Sequence, residues 1–261
     1  MAVRGLWDDL LTRMGTGAVV ALIGIAAIWA GGLWLQALTV LVAAVMVWEL
    51  ARMLDPASPA LTLASVAGAA LLVAEFVPPG WAMPLLVLPA MVGFGQLHRH
   101  RSTFTVFTLM IMLASYGLYV IRSDFGFIWL FWLVLVVIAT DVFGYFAGRF
   151  IGGPKFWPRV SPKKTWAGTI AGWVAAAGVG VLFIAENAAG PQLIGISVAV
   201  SMASQIGDIA ESAVKRRVGV KDSSSLLPGH GGLFDRFDGM LGASLFLLFV
   251  AQLVDFPYGL A

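Results

Sequence analysis

The chain has no cysteine among its 261 residues. Disulfides and thiolate-bound metals are thereby excluded, while the absence says little about compartment. Charge is scarce as well. Asp, Glu, Lys and Arg make up 11% of the residues, where an ordinary soluble domain has about 25%. Hydrophobic residues reach 60% and the mean hydropathy is +0.91. These values exclude a soluble globular domain and specify an integral membrane protein. Only three histidines are present, and no Ser-His-Asp or Cys-His arrangement for nucleophilic catalysis can be assembled. No low-complexity linker and no convincing internal repeat breaks the chain. The net charge is only +2, so its distribution matters more than its sum. A lipid bilayer is the expected surrounding, and no nucleic-acid partner is expected.

What remains is a series of apolar runs. A helix that crosses the hydrocarbon needs about 20 mostly apolar residues. The runs predict nine such helices, at 14–30, 32–53, 60–77, 81–97, 103–121, 125–149, 166–186, 191–216 and 239–255. The first two are separated only by Gly31-Gly32, so one bent segment is an alternative. Asp55-Pro56, Pro78-Pro79-Gly80 and Gly190-Pro191 mark other boundaries. Arg4 is followed by Asp8 and Asp9, and no clear small-residue cleavage site follows the first run. A retained helix is expected rather than a cleaved signal peptide. The fold class is therefore all-α: a polytopic membrane protein with a polar cavity facing the cytoplasm. It reads as one continuous membrane domain, with N-terminal helices over 1–124 and a motif-bearing part over 125–261. With the N-terminus in the cytoplasm, fifteen of the sixteen Lys and Arg residues fall on the inner side, Arg122 being the exception. That is a strong positive-inside bias, and it places the polar loops 150–165 and 217–238 in the cytoplasm.

Several polar residues interrupt the apolar helices. The eighth holds Ser204, Asp208, Glu211, Ser212 and Lys215. From Asp208, Glu211, Ser212 and Lys215 follow at i+3, i+4 and i+7, one helical face. A charge at the bilayer centre costs about 2.5–3.5 kcal/mol on insertion scales, so such groups persist only when paired, hydrated or ion-bound. Glu211 and Lys215 at i, i+4 can pair with each other, whereas Asp208 has no cation one turn away. On the sixth helix Asp141, Gly144, Tyr145, Gly148 and Arg149 share a face. Small residues there let a neighbouring backbone approach, and Asp141 is expected to be buried against it, either as a structural or as a functional acid. The following loop contains Ser161, Lys163, Lys164 and Thr165 before a helix start. It reads as a phosphate cradle or as a basic interfacial anchor with Trp166. His98 and His100 flank Arg99 with no carboxylate nearby in sequence, which favours an interfacial cluster over a metal site. Most of the ten tryptophans read as lipid-facing or interfacial.

The densest polar stretch is 212–238. It sets Lys215, Arg216, Arg217, Lys221 and Arg236 beside Asp222, Asp235 and Asp238, around the turn Pro228-Gly229-His230-Gly231-Gly232. Cations and carboxylates at one membrane surface suit metal-assisted chemistry on phosphates. Asp208, Asp222, Asp235 and Asp238 are hard oxygen donors without a thiolate, so Mg²⁺ is the expected ion rather than zinc. For Asp235 and Asp238, at i, i+3 where the ninth helix starts, an N-cap or dipole role is the alternative.

These residues resemble the signature of CDP-diacylglycerol synthases, the phosphatidate cytidylyltransferases. The matching pattern is Ser212-x-x-Lys215-Arg216, then Lys221-Asp222, then Pro228-x-His230-Gly231-Gly232-x-x-Asp235-Arg236-x-Asp238. Gly207-Asp208-x-x-Glu211-Ser212 extends it upstream. The 141–149 segment resembles the family's Asp-Thr-x-Ala-Tyr-Phe-x-Gly-Arg, with Val142 and Gly144 as departures. The 161–168 segment resembles Ser-Pro-Lys-Lys-Thr-x-Glu-Gly, with Ala167 in place of the Glu. The resemblance is dense over 141–238. It implies transfer of a cytidylyl group from CTP to phosphatidate, at the inner membrane and on the cytoplasmic side, for phospholipid biosynthesis. It assigns Asp208 and Asp235 to Mg²⁺, leaving room for a second, monovalent cation. Catalytic roles are implied for Asp208, Lys215, Arg216, Lys221, Asp222, Asp235, Arg236 and Asp238. Substrate contacts are implied for Asp141, Ser161, Lys163, Lys164, Ser212, His230, Gly231 and Gly232. A homodimer is left open. Two neighbouring activities use CTP on other lipids, the polyprenol kinases and the archaeal lipid cytidylyltransferases. A secondary transporter fits poorly, because its buried charges sit near the midplane between repeats. A CDP-alcohol phosphatidyltransferase needs an Asp-Gly-x-x-Ala-Arg helix, which Asp238-Gly239 does not continue.

The charge asymmetry gives a direct expectation. A cysteine introduced at Gly259 should react with an impermeant thiol reagent added outside, and one at Ser224 should not; the opposite pattern refutes the orientation.

Overall fold

The computed structural model describes residues 17–253 apart from Ala188, Pro228, His230 and Gln252. Residues 14–16 of the first expected helix, 254–255 of the last, and the candidate His230 therefore lie outside the described residues. Among the described residues there are nine α-helices. They are α1 (Gly17–Ala30), α2 (Gly32–Leu54), α3 (Ala60–Ala74), α4 (Pro79–Gln96), α5 (Arg101–Val120), α6 (Phe127–Phe150), α7 (Trp166–Asn187), α8 (Gln192–Val218) and α9 (Phe234–Val250). A π-helical turn, Ile121–Phe125, continues α5 and ends at Gly126, whose φ of 89° needs glycine. Five helical segments are long and apolar enough to cross a bilayer: Gly32–Leu54, Arg101–Phe125, Phe127–Phe150, Trp166–Glu186 and Gln192–Val218. These are the lengths and composition of a polytopic membrane protein.

Two boundaries differ from the sequence-based expectation in ways that affect chemistry. The 150–165 segment is not simply a loop. It forms an antiparallel hairpin of β1 (Lys155–Trp157) and β2 (Ser161–Thr165), with Lys155 opposite Thr165 and Trp157 opposite Ser161. The expected all-helical fold is thus observed, with this one small ribbon added. Helix α9 starts at Phe234, five residues before the expected 239, so Asp235, Arg236 and Asp238 are helical. The hydrophobic pattern alone placed the start at the first apolar residues, whereas the polar first turn is held by contacts described below.

By contacts the chain divides into two compact units, Met1–Tyr119 with Arg217–Phe237, and Val120–Arg216 with Asp238–Ala261. Residues 217–237 group with the N-terminal helices in this division. In the first unit α2 packs on α3 and α3 on α4. A Cβ on Gly93 of α4 would lie 1.9 Å from the fully buried ring of Phe104 on α5, so only glycine allows that packing.

In the second unit α6 packs on α7. A Cβ on Gly168 would meet the Gly144 carbonyl oxygen at 2.5 Å, so the two backbones touch through small residues, as membrane helices do. Between α8 and α9 the same device recurs: a Cβ on Gly207 would meet the Asp238 carbonyl oxygen at 2.3 Å. Polar ties accompany these seams. The indole of Trp132 donates to Ser197 at 3.1 Å, and the Thr140 and Ser201 hydroxyls lie 2.8 Å apart. Trp129 and Trp132 are core residues, unlike exposed Trp29, Trp34 and Trp81.

Near His98 and Arg99 the structure brings in Asp55, which is remote from them in sequence. Asp55 is buried where α2 ends. Its Oδ2 accepts from the backbone amides of His98 at 2.9 Å and Arg99 at 3.3 Å, and Oδ1 from that of Ala57 at 3.3 Å. Donation from His98 holds its carboxyl below the ordinary value, against the opposing effect of burial. Stability from this group is therefore complete above the normal carboxylate range and is lost as pH falls through the lowered folded value. Asp55→Ala should destabilise the detergent-solubilised protein by about 1–3 kcal/mol, through unmade hydrogen bonds. The variant should also show a flatter decline in thermal midpoint on acidification; an unchanged midpoint and profile would remove Asp55 from the stability of this corner.

Candidate functional site

The second unit contains a polar cavity of about 560 Å³. Helix α6 contributes Asp141, Tyr145 and Arg149, the hairpin Lys155, Ser161, Lys163 and Lys164, and α8 Gln205 and Asp208. Four cations, Arg149, Lys155, Lys163 and Lys164, face two carboxylates, Asp141 and Asp208. The excess of positive charge suits a polyanionic ligand. Its walls are set by the close helix seams. Gly144 and Gly148 turn toward Gly168 and Thr165, which leaves the neighbouring polar positions of α6 to line the space. Asp141, expected to be buried against a neighbour, is instead exposed in this cavity, while Thr140, Gly144 and Gly148 beside it on α6 face α7 and Thr165.

The hairpin supplies the cation that sequence spacing could not find. Lys164 Nζ lies 2.7 Å from Asp208 Oδ2 and donates to the Gln205 carbonyl oxygen at 3.3 Å. The Asp208 side chain stays 39% exposed, so the pair is open to ligands rather than sealed. Ser212, one turn on, approaches Asp208 Oδ1 at 3.5 Å. Gln205 is fixed on both sides: Trp173 donates to its oxygen at 3.0 Å, and its amide donates to the Thr169 carbonyl at 3.2 Å. Asp208, Asp141 and Lys215 are the charges that act on Asp238. Acids from α6, α8 and α9 therefore share one electrostatic neighbourhood. Ala167, standing where the resembled pattern has Glu, lines an apolar groove of about 910 Å³ along α6 and α7 and not the polar cavity.

Lys215 is paired along its own helix, Nζ to Glu211 Oε2 at 2.6 Å, with the Glu211 side chain only 1% exposed. Arg216 beside it is exposed.

The first unit holds the remaining candidates. Lys221 and Asp222 are exposed. Asp235 Oδ2 accepts from the Gly232 amide at 2.7 Å, the Ser223 amide at 2.9 Å and the Ser223 hydroxyl at 3.0 Å. A Cβ on Gly231, where φ is 82°, would lie 2.7 Å from that same oxygen. The glycine pair thus lets the backbone close over Asp235. Arg236 is exposed. Sequence reasoning missed Glu49, a fully buried acid on α2 that accepts from the amides of Leu233 at 2.9 Å and Phe234 at 2.7 Å. Its only signal was a lone acid within an apolar run, Trp48-Glu49-Leu50.

Fold and cavity define a polytopic membrane protein equipped to bind a polyanion beside a carboxylate. The sequence pattern of the cytidylyltransferase family matches residues 11–254, and the chain belongs to that family. It is 49% identical over 139 residues to the phosphatidate cytidylyltransferase of Brucella suis, covering 51% of each chain. It is 39% identical over 134 residues to that of Bacillus subtilis, covering 50% of each. It is 34% identical over 162 residues to that of Helicobacter pylori, covering 61% of this chain and 60% of the relative. The chain thus spans about half the length of the curated relatives it matches.

The Lys215–Glu211 pair makes a stability prediction independent of activity. Lys215→Met leaves a buried carboxylate without its ammonium and should cost about 3–5 kcal/mol. The double variant Lys215→Met/Glu211→Gln should recover most of the loss in thermal unfolding; equal stability of the single variant and the parent would show that the pair contributes nothing.

Proposed function

We propose that the protein transfers the cytidylyl group of CTP to phosphatidate, giving CDP-diacylglycerol and pyrophosphate, on the cytoplasmic side of the inner membrane. The observation that carries this reading is the cavity in which Lys164 meets Asp208 amid three further cations. It is built largely from the 141–149 and 161–168 segments, which resemble the family's, together with Asp208. A triphosphate brings several negative charges, and Arg149, Lys155, Lys163 and Lys164 are placed to neutralise them through charge-assisted hydrogen bonds. Ser161 adds a hydroxyl to the same wall.

In the reaction a phosphate oxygen of phosphatidate forms a bond to the α-phosphorus of CTP. The bond from that phosphorus to the oxygen bridging to the β-phosphate breaks, and pyrophosphate leaves with the electron pair. A phosphate monoester is already anionic near neutral pH, so no strong general base is needed. Lys215, Arg216, Lys221 and Arg236 are the further cations assigned to the two phosphate-bearing substrates, and Asp222 and Asp238 to positioning.

Among the described residues no group of three His, Asp or Glu side chains is spaced to hold a metal unaided. Mg²⁺ is commonly held by one or two carboxylates together with substrate phosphates, and the half-exposed Asp208 beside a polyanion cavity fits that mode. Asp208 and Asp235 are the proposed ligands. A bound Mg²⁺ would supply charge stabilisation to the reacting phosphates.

The test is an assay of purified protein in detergent with labelled CTP, phosphatidate or a polyprenol, and with or without Mg²⁺. Labelled CDP-diacylglycerol should form only with phosphatidate and Mg²⁺. Asp208→Asn should reduce turnover by at least about a hundredfold, roughly 2.7 kcal/mol of barrier. Lys164→Gln should lower kcat/KM by about tenfold or more, with expression unchanged. Transfer to polyprenol alone, or full activity in the Asp208 variant, would refute the reading.

A further inference from the structure

The first turn of α9 carries Asp235 and Arg236. The residue preceding it is Leu233, whose side chain cannot accept a hydrogen bond. Capping instead comes from a residue 184 positions earlier in the chain. Each oxygen of Glu49 takes one amide of that turn: Oε1 that of Leu233 at 2.9 Å, Oε2 that of Phe234 at 2.7 Å. Oε1 also accepts from the Ser224 hydroxyl at 2.6 Å. These donors are uncharged, and the carboxylate is fully buried. Its charge is therefore met by hydrogen bonds and by the positive end of the helix dipole.

Ser223 links this acid to the next one. Its hydroxyl lies 3.0 Å from Asp235 Oδ2 and 3.4 Å from Glu49 Oε2. A hydroxyl has one proton, so the shorter contact takes it and the longer one packs against it. Its amide also binds Asp235. The space is closed to any side chain at position 232, because a Cβ on Gly232 would lie 2.0 Å from Ser223 Oγ and 2.6 Å from Glu49 Oε1. Phe234, fully buried, is pinned by an edge-on contact with Phe107, with ring centroids 6.2 Å apart. Glu49 thus fixes both ends of the 223–234 segment, and that segment sets the orientation of the Asp235 carboxylate.

We infer that Glu49 is a positioning residue for the proposed cytidylyl transfer, holding the 223–234 segment and the first turn of α9 so that Asp235 and Arg236 are presented in one fixed geometry. It touches neither substrate. The inference rests on the proposed reaction, and its test separates the two.

Glu49→Gln, Glu49→Asp and Ser223→Ala are made in the full-length protein in detergent. Amide hydrogen exchange over 222–237 is measured without substrate, and steady-state kinetics with CTP and phosphatidate. Glu49→Gln keeps the shape but replaces one of the two acceptor oxygens by an NH2 donor, so one amide contact is lost and the other loses its charge assistance. Exchange at Leu233 and Phe234 should rise at least about tenfold, and kcat should fall about tenfold or more with KM for CTP changed less than about threefold. Glu49→Asp should restore part of both. Ser223→Ala should lower kcat while leaving exchange at Phe234 close to the parent's. Unchanged exchange in Glu49→Gln overturns the clamp. Raised exchange in Glu49→Gln with parental kcat overturns the positioning role and leaves a helix cap. If the parent protein transfers no cytidylyl group, the proposed function fails, and with it the positioning of a reaction, while exchange alone still decides whether Glu49 holds the segment.

Discussion

A carboxylate carried into an apolar helix bundle has to be met there, and each way this chain meets one defines part of its architecture. Glu211 is met from its own helix by Lys215 at 2.6 Å. Asp208 is met by Lys164 from the hairpin at 2.7 Å. Glu49 is met by backbone amides of α9 and a serine hydroxyl. The desolvation cost of an unmet charge is several kcal/mol, which exceeds most single contributions elsewhere in a domain. The hairpin, the loop before α9 and the end of α8 are therefore placed less by apolar packing than by acids requiring partners.

Glycine does the complementary work. Gly144 and Gly168 bring α6 and α7 to backbone contact, and Gly207 brings α8 to the Asp238 carbonyl. Larger residues at these seams would push the helices apart and widen the cavity that holds Lys164 and Asp208. Gly231 and Gly232 do the same at the scale of one turn, letting amides reach Asp235. The spacing of the polar groups is thus set in part by glycines.

Much of this was legible in the sequence. Apolar runs of span length fixed where helices lie, because 20 uncharged residues have few other uses. The one-face spacing of Asp208, Glu211 and Lys215 marked α8, and local pairing of the last two is a short-range event. What was not legible depended on distance along the chain. Asp55 lies 43 residues from His98, Lys164 lies 44 from Asp208, and Glu49 lies 184 from Leu233. No periodicity links such pairs. The hairpin was hidden because Ser161-Pro162-Lys163-Lys164-Thr165 has none of the alternation that announces a strand. The apolar run alone put the start of α9 at 239, although the spacing of Asp235 and Asp238 already marked a helix start; what was hidden is that Glu49, far away in the chain, holds that first turn. Asp141 was misplaced because a small-residue face shows that a neighbour approaches but not which adjacent side chains it covers.

If the proposed nucleotide and cation both bind here, the Lys164–Asp208 pair would couple them. In this arrangement each charge neutralises the other. An anion that draws Lys164 away leaves a carboxylate seeking a cation, and a cation that takes Asp208 releases an ammonium for an anion. By thermodynamic reciprocity each ligand must raise affinity for the other by the same factor. A site wired in this way disfavours half-loading: nucleotide without its counter-ion, or ion without nucleotide, has to break the pair unaided, while the two together exchange one ion pair for two.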